Sequence, residues 1–171
     1  YCSNEAESRK LKFLYNHSGI QTRYSVLPDY STTADKRTFF PPTNDLEPFP
    51  GIEKRMKLFN SYAAELSANT ILDCISEKIN SNEITHLITV SCTGMSAPGL
   101  DLQVMERLQL PNTIVRTSVN FMGCYAAVHA LKLADAFCKS NNNANVVIVC
   151  TEFCTLHFQK EPSVDNITSS L

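Results

Sequence analysis

The chain has 171 residues, of which 43% are hydrophobic and 19% charged, and its formal net charge is −2. This composition is ordinary for one soluble globular domain with a sizeable core. The charge balance argues against nucleic acid as a partner, and no apolar run is long enough to span a membrane. The seven cysteines form no CxxC pair, so we expect no metal site and predict reduced thiols in the cytoplasm.

The first half of the chain is predicted to combine two helices, a short strand and a long loop. Apolar residues among charged ones predict a helix over residues 4–17, which Gly19 ends. Alternation over residues 20–26 predicts a strand. Four prolines predict an extended surface loop over residues 28–50, with phenylalanines as anchors. Helical spacing then predicts a long helix over residues 51–80.

Apolar side chains of the long helix fall near one broad face, which predicts the side that packs into a core. The residues of this face are Ile52, Met56, Phe59, Tyr62, Ala63, Leu66, Thr70, Ile71, Cys74, Ile75 and Ile79. Three basic residues, Lys54, Arg55 and Lys57, lie in its first turns. We interpret them as a solvated face, with a phosphate-facing patch as the alternative.

From residue 85 onward, strands and helices alternate. Strands are predicted from residue 85 and over 113–119 and 145–152, and helices over 100–108 and 125–139. This alternation predicts a sheet that is mainly parallel and is covered by helices on both faces. Reactive loops of such sheets lie at the carboxyl ends of the strands, so we expect three segments to meet at one edge. These segments are residues 91–94, 120–124 and 151–157.

The central segment of the three has the pattern of a nucleophile elbow. A strand that turns sharply into a helix needs a residue tolerant of unusual backbone angles, and Gly123 supplies it. Cys124 then lies at the helix N-terminus, after a strand expected to be buried, where the helix dipole favours a thiolate. The small residues Ala126, Ala127 and Ala130 would let this helix pack closely. The alternative is a buried structural cysteine.

Four motifs together resemble those of the type III polyketide synthases, the chalcone-synthase-like branch of the thiolase-fold condensing enzymes. They are Ser-Cys-Thr-Gly at 91–94, Pro-Gly-Leu-Asp at 98–101, Asn-Phe-Met-Gly-Cys at 120–124 and Val-Cys-Thr-Glu at 149–152. The third motif is more similar to microbial members than to plant ones. The resemblance implies an α/β, thiolase-like fold of which residues 1–171 are the amino-terminal half. Residues 1–84 would hold the helices and the proline-rich loop, and 85–171 the strand–helix repeats; the carboxy-terminal half would be absent.

The activity implied by this resemblance is the decarboxylative condensation of malonyl-CoA onto an acyl starter bound to Cys124. Acyl-CoA and malonyl-CoA would be substrates, no separate cofactor is needed, and the enzyme would be a homodimer. Family members activate the cysteine with a His and an Asn from the downstream half, so the segment by itself is expected to be inactive. We therefore assign no catalytic role to His86 at the far end of its strand, or to His129, which should point away from Cys124.

Further site residues also come from the resemblance. Cys92 and Thr93 match positions that face the starter site, and Ala97 matches the position that reaches into the partner's cavity. The wall that limits chain length is matched by Cys154, Leu156 and His157. Lys10 matches a position that holds the phosphates of coenzyme A, although Phe13 and His17 replace basic residues there and a solvated helix face is the alternative. Glu152 is interpreted as structural.

Two other functions remain open at this point. A ketoacyl synthase of fatty-acid synthesis would have the same fold but would use acyl carrier protein. A catalytically silent module retained for dimerisation would keep the fold without acylation of Cys124. Turnover of malonyl-CoA without carrier protein would exclude the ketoacyl synthase. Acylation of Cys124 would exclude the silent module.

Overall fold

The computed structural model describes residues 4–161 and 163–170. It divides into two compact units, one made of the chain up to Arg55 together with the chain from Phe153 onward, and one made of Met56–Glu152. The helices are α1 (Glu5–His17), α2 (Ile52–Ile75), α3 (Leu100–Arg107), α4 (Tyr125–Ser140) and α5 (Val164–Ser170). The strands are β1 (His86–Ser91), β2 (Val115–Asn120) and β3 (Val146–Cys150).

The second unit is built on a parallel sheet in the order β2-β1-β3. The register pairs Ser91 with Asn120 and Val90 with Cys150, so the three strands end at one edge. The predicted alternation of strands and helices is confirmed, with small shifts in the bounds. Strand β1 is buried from Leu87 to Ser91 because it pairs on both sides and is covered on both faces.

Apolar residues of β1 divide between two cores. Leu87 packs into the first core, with residues of α2 and α3, and Ile88 and Val90 pack into the second, with residues of α4. Successive side chains of a strand point to opposite faces, so this division follows from the pleat. The predicted covering of the sheet by helices on both faces is therefore confirmed.

Helix α2 differs from its prediction in length and in the width of its apolar face. It ends at Ile75 rather than at residue 80. Its buried side chains, in the part that belongs to the second unit, form a narrow stripe: Phe59, Ala63, Ala64, Ser67, Ala68, Ile71 and Ile75. Five residues that we expected on the core side are exposed: Ile52, Tyr62, Leu66, Thr70 and Cys74. The small residues of the stripe allow close packing along one line, which leaves the flanking large side chains outside.

Helix α1 is confirmed, and the strand predicted after it is wrong. Asn4 caps the helix by accepting a hydrogen bond from the N–H of Glu7 at 2.9 Å, and Gly19 follows its end with a φ of +73°. Residues 20–26 form no strand. Alternation alone does not make a strand, because the backbone groups need a neighbouring strand to pair with.

The loop over residues 28–50 is confirmed, and a buried carboxylate organises it. Asp29 accepts hydrogen bonds from the N–H groups of Thr38 (3.0 Å), Phe39 (2.9 Å) and Phe40 (2.7 Å), and from the Thr38 hydroxyl (3.0 Å). These bonds fix the backbone that carries Phe39 and Phe40, both of which are buried. Phe40 stacks on Phe49 with 5.9 Å between ring centres. The predicted aromatic anchoring of the loop is therefore present.

The interpretation of the basic residues at the start of α2 as solvated is wrong for Arg55, which is only 6% exposed. Its Nε donates to the carbonyl of Pro50 at 3.0 Å, and its Nη1 donates to the carbonyl of Leu156. The interpretation holds for Lys54 and Lys57, which are both exposed, although Lys54 also donates to the carbonyl of Phe39. Arg55 folds inward because its guanidinium can bind the carbonyl groups of Pro50 and Leu156 there.

Within the described ranges, none of the helices is long and apolar enough to cross a lipid bilayer.

Replacing Asp29 tests the organisation of the loop. Burial raises the pKa of this carboxyl, but its hydrogen bonds outweigh that effect and hold the pKa below the ordinary value. A lowered folded-state pKa stabilises the protein above the unfolded pKa, and this stabilisation is lost as the pH falls through the folded value. We expect Asp29→Asn to lower the free energy of unfolding at neutral pH by about 1–3 kcal/mol.

Urea unfolding at several pH values is the measurement for this change. The difference between wild type and Asp29→Asn should be largest near neutral pH and should shrink as the pH falls below about 4. The control is Asp35→Asn, because Asp35 is exposed in the same loop. A difference that does not change with pH would show that the charge of Asp29 does not stabilise the loop.

Candidate active site

The turn between β2 and α4 places Cys124 where the sequence predicted it. Cys124 directly precedes Tyr125, the first residue of α4, and its side chain is exposed. Gly123 has a φ of +61°, which confirms the need for glycine there, and open space surrounds the position of a Cβ. The expected burial of the preceding strand is wrong, because β2 is largely exposed. Strand β2 lies at an edge of the sheet, so one of its sides lacks a neighbouring strand.

Phe121 contributes a second unusual backbone conformation to this turn, with a φ of 58°. A left-handed conformation at a bulky residue costs about 1–3 kcal/mol and is characteristic of functional turns. The N–H of Phe121 donates to the carbonyl of Ser91 at 3.2 Å, which extends the pairing of β2 with β1 by one residue. The sequence offered no signal for this conformation, since phenylalanine gives no indication of positive φ.

Glu152 joins the end of β3 to the loop that follows β1. Its Oε1 accepts from the N–H of Cys92 at 2.6 Å, and its Oε2 accepts from the hydroxyl of Thr93 at 2.6 Å. Charge-assisted hydrogen bonds of this length are the strong ones, and two of them hold both residues in place. The structural interpretation of Glu152 fits these contacts, but only the structure revealed that its partners are two of the predicted site residues.

Cys92 also reaches the elbow. Its Sγ lies 3.7 Å from the carbonyl oxygen of Gly123, at hydrogen-bonding distance for a thiol. The contact places Cys92 next to the residue before Cys124. The ends of the three strands therefore gather four groups at one edge: the exposed Cys124, the thiol of Cys92, the hydroxyl of Thr93 and the carboxylate of Glu152.

Further along the loop after β1, Gly94 lies close to the ring of Phe59. A Cβ on Gly94 would lie 2.2 Å from the ring of Phe59, so glycine is required there for space. Ala97 lies further along this loop, is exposed and precedes Pro98 through a cis peptide bond. Its exposure permits the role at a partner that the resemblance implies, and that role stays a prediction.

The three predicted wall residues belong to the first unit, where they form a short 3-10 helix, Cys154–His157. Leu156 is buried, His157 is partly buried and Cys154 is exposed. The hydroxyl of Tyr30 donates to the carbonyl of Thr155 at 2.9 Å. This hydrogen bond holds the backbone of the turn. The role of its side chains as a wall stays a prediction.

Lys10 is exposed on α1. This exposure fits a solvated helix face and a phosphate site equally well. Phe13 and His17 stack on each other with 3.9 Å between ring centres. His86 begins β1 at the end opposite the candidate site and stacks on Phe137. In the part of the chain that the structure describes, no three His, Cys, Asp or Glu side chains form a group that could hold a metal ion.

A sequence model described as "Chalcone and stilbene synthases, N-terminal domain" matches residues 1–171. Type III polyketide synthase A of Arabidopsis thaliana is 30% identical over 159 residues, which are 92% of this chain and 39% of that protein. A plant relative and an amoebal relative are identical to this chain to a similar extent. Sequence identity therefore does not separate the two groups, and the predicted likeness to microbial members stays a prediction.

Solved structures show the same relationship. The C-terminal type III polyketide synthase domain of Steely1 from Dictyostelium is 28% identical and superposes with a TM-score of 0.79, over 98% of this chain and 45% of that one. PKS-I from the brown alga Ectocarpus siliculosus is 27% identical with a TM-score of 0.83, over the same shares. The chain thus spans less than half the length of these relatives.

These structural matches confirm the thiolase-like α/β fold, and the match to the sequence model runs through the whole chain. The chain belongs to the chalcone and stilbene synthase family and corresponds to its N-terminal domain.

Proposed function

We propose that this chain is the amino-terminal half of a type III polyketide synthase that condenses malonyl-CoA with an acyl starter bound to Cys124. The observation that carries the proposal is the position of Cys124. It is an exposed thiol at the N-terminus of α4, on the sheet edge where Cys92, Thr93 and Glu152 are held together. A buried structural cysteine would not be exposed at the start of a helix.

The chemistry begins with transfer of the starter. The Cys124 thiolate attacks the thioester carbonyl of acyl-CoA, a new carbon–sulfur bond forms, and coenzyme A leaves as its thiolate. Malonyl-CoA then loses CO2, and the electron pair of the broken carbon–carbon bond becomes an enolate. The enolate attacks the acyl-Cys124 carbonyl and expels the cysteine thiolate, so the chain is two carbons longer on coenzyme A.

The remaining site residues have roles in this proposal that follow from the family. Cys92 and Thr93 face the starter, Ala97 reaches toward a partner subunit, and Lys10 contacts the phosphates of coenzyme A. Residues Cys154, Leu156 and His157 limit the length of the product. Substrates are coenzyme A thioesters, and no other cofactor is involved.

The decisive test uses the full-length protein with malonyl-CoA and a series of acyl-CoA starters, without carrier protein. We expect CO2 release and polyketide products in mass spectra, and we expect Cys124→Ala to abolish the polyketide products. Cys138→Ala is the control, since Cys138 is an exposed cysteine in the last turns of α4. Residues 1–171 alone should form no product, because the family's His and Asn partners lie outside this sequence.

Other outcomes of this test would support other functions. Turnover only with malonyl-carrier protein would indicate a ketoacyl synthase. Failure of Cys124 to become acylated by any thioester would indicate a silent module.

We also propose that Glu152 is a positioning residue for the starter site. Glu152→Gln keeps the size of the side chain but removes its charge, so the bonds to Cys92 and Thr93 lose the charge that strengthens them. A hydrogen bond to a charged group contributes about 1.5–3 kcal/mol, and we expect kcat/KM for the starter to fall about tenfold or more.

Two readouts separate this effect from simple unfolding. Loss of a hydrogen bond of this strength should lower the thermal midpoint by several degrees and leave the protein folded, so kcat/KM is measured well below that midpoint. Glu106→Gln on α3 is the matched control and should keep wild-type kcat/KM, since Glu106 is an exposed glutamate that we place outside the site. An unchanged kcat/KM in Glu152→Gln would refute the positioning role.

The proposed enzyme is a homodimer, and a row of exposed apolar side chains supports this. Tyr125, Val128 and Leu131 of α4 are each about half exposed or more, and so is Phe121 before them. Apolar side chains grouped in this way are characteristic of interaction surfaces.

Sedimentation velocity of the full-length protein at micromolar concentration should therefore show a dimer. We expect Leu131→Lys to raise the dimer dissociation constant about tenfold or more, because it places a charge in a desolvated contact. Leu72→Lys, at an exposed leucine of α2, should leave the dimer intact. A monomer at all concentrations in the wild type would contradict the proposal.

A further inference from the structure

The 3-10 turn Cys154–His157 is held by three side chains of its own unit, two of which bind its backbone. Such a short turn leaves carbonyl groups without partners inside the element. The Tyr30 hydroxyl donates to the carbonyl of Thr155 at 2.9 Å, and Arg55 Nη1 donates to the carbonyl of Leu156. Ser25 Oγ lies 2.8 Å from Thr155 Oγ1. Segments far apart in the chain thus supply the partners that the turn itself lacks.

Arg55 is itself fixed in position. Its Nε donates to the carbonyl of Pro50, and its Cζ lies 5.2 Å from the ring centre of Phe49 and 6.0 Å from that of Phe39. Asp29 in turn fixes the backbone of Phe39. The guanidinium is therefore clamped between two carbonyl groups and two rings, and a movement of Arg55 would move the carbonyl of Leu156.

The burial of this charge is costly, which makes a purely packing role a poor explanation. In the part of the chain that the structure describes, Arg55 has no acidic partner, and its Nη2 is buried without a hydrogen-bond acceptor. Burial lowers the pKa of its guanidinium from the ordinary value. An apolar side chain would fill the same space at lower cost. What arginine adds is a planar fork that reaches Pro50 and Leu156 at once.

The hydroxyl of Tyr30 plays the same part for the neighbouring peptide group, because it donates to the carbonyl of Thr155. Burial raises the pKa of its hydroxyl to about 12, so the hydroxyl remains protonated and able to donate throughout the physiological range. Two successive carbonyl groups of the turn are thus held by two different side chains. Since the backbone at Thr155 and Leu156 is fixed, the points from which the neighbouring Cys154 and His157 side chains project are restricted too.

We propose that Arg55 and Tyr30 are positioning residues that set the place of the turn Cys154–His157 and, through it, the length of acyl chain that the enzyme builds. This inference rests on the proposed function, in which Cys154, Leu156 and His157 form the wall that limits the product. Neither residue touches the reacting atoms. They determine specificity through the backbone, and a displacement of the wall on the order of 1 Å is enough to change which chain length fits.

The experiment compares conservative variants of the full-length protein with matched controls. Arg55→Lys keeps the charge but loses the fork, and Tyr30→Phe loses only the hydroxyl. The controls are Arg9→Lys on the exposed face of α1 and Tyr24→Phe, because Tyr24 is 92% exposed. The readouts are the ratio of products by number of extensions and the rate at which Cys124 is acylated by the starter.

We expect the product ratio to change about two- to tenfold in Arg55→Lys and Tyr30→Phe, the size of effect that one lost hydrogen bond produces. The acylation rate should stay near that of the wild type, since the wall acts on the growing chain. A merely structural role would lower all activities together and leave the ratio unchanged. A ratio in Tyr30→Phe equal to that in Tyr24→Phe would overturn the proposal, and Tyr30→Phe serves this purpose even if Arg55→Lys does not fold.

Hydrogen exchange measured by mass spectrometry gives a readout that does not depend on catalysis. Amides in a peptide covering residues 153–160 should exchange several-fold faster in both variants than in the controls. Unchanged exchange there would refute the positioning of the turn whatever the activity. If the wild type fails to turn over malonyl-CoA, the proposed function falls and the exchange data still decide whether Arg55 and Tyr30 position the turn.

Discussion

Parallel pairing of β1 with β2 on one side and β3 on the other is the constraint on which the candidate site depends. Parallel strands end at the same edge, so their following loops must meet there whatever their sequences. Burial of β1 on both faces prevents it from slipping in register, because its apolar side chains Leu87, Ile88 and Val90 each have a place in one of two cores. The position of Cys124 relative to Cys92 is thus a consequence of strand register.

Local strain and local hydrogen bonding work together at this edge. Positive φ at Phe121 is unfavourable by itself, and its N–H bond to Ser91 helps to offset the cost. Glu152 accepts from Cys92 and Thr93, so the loop after β1 cannot move independently of the end of β3. Such rigidity suits the proposed condensation, in which the reacting groups must meet at a defined distance.

The first unit relies on two buried charges that are compensated in opposite ways. Asp29 accepts four hydrogen bonds, three of them from backbone N–H groups, so donors of the protein take the place of water around its carboxylate. Arg55 gives hydrogen bonds to backbone carbonyls and lies against aromatic rings, without an acidic partner among the described residues. A buried charge held by backbone groups allows very few loop conformations, because any other conformation would leave the charge without its partners. Both residues therefore specify the shape of irregular segments that have no sheet or helix to define them.

The sequence alone determined the order of the helices and strands, the parallel sheet and the elbow at Gly123 and Cys124, because periodicity and glycine chemistry act over short stretches. It failed for residues 20–26, where alternation had no neighbouring strand to pair with, and for the widths of apolar faces, which depend on what packs against them. Only the tertiary structure decided that Glu152 holds Cys92 and that Arg55 is buried against the turn at Leu156. These partners lie 60 and 101 residues apart, and local sequence carries no information about contacts over such separations.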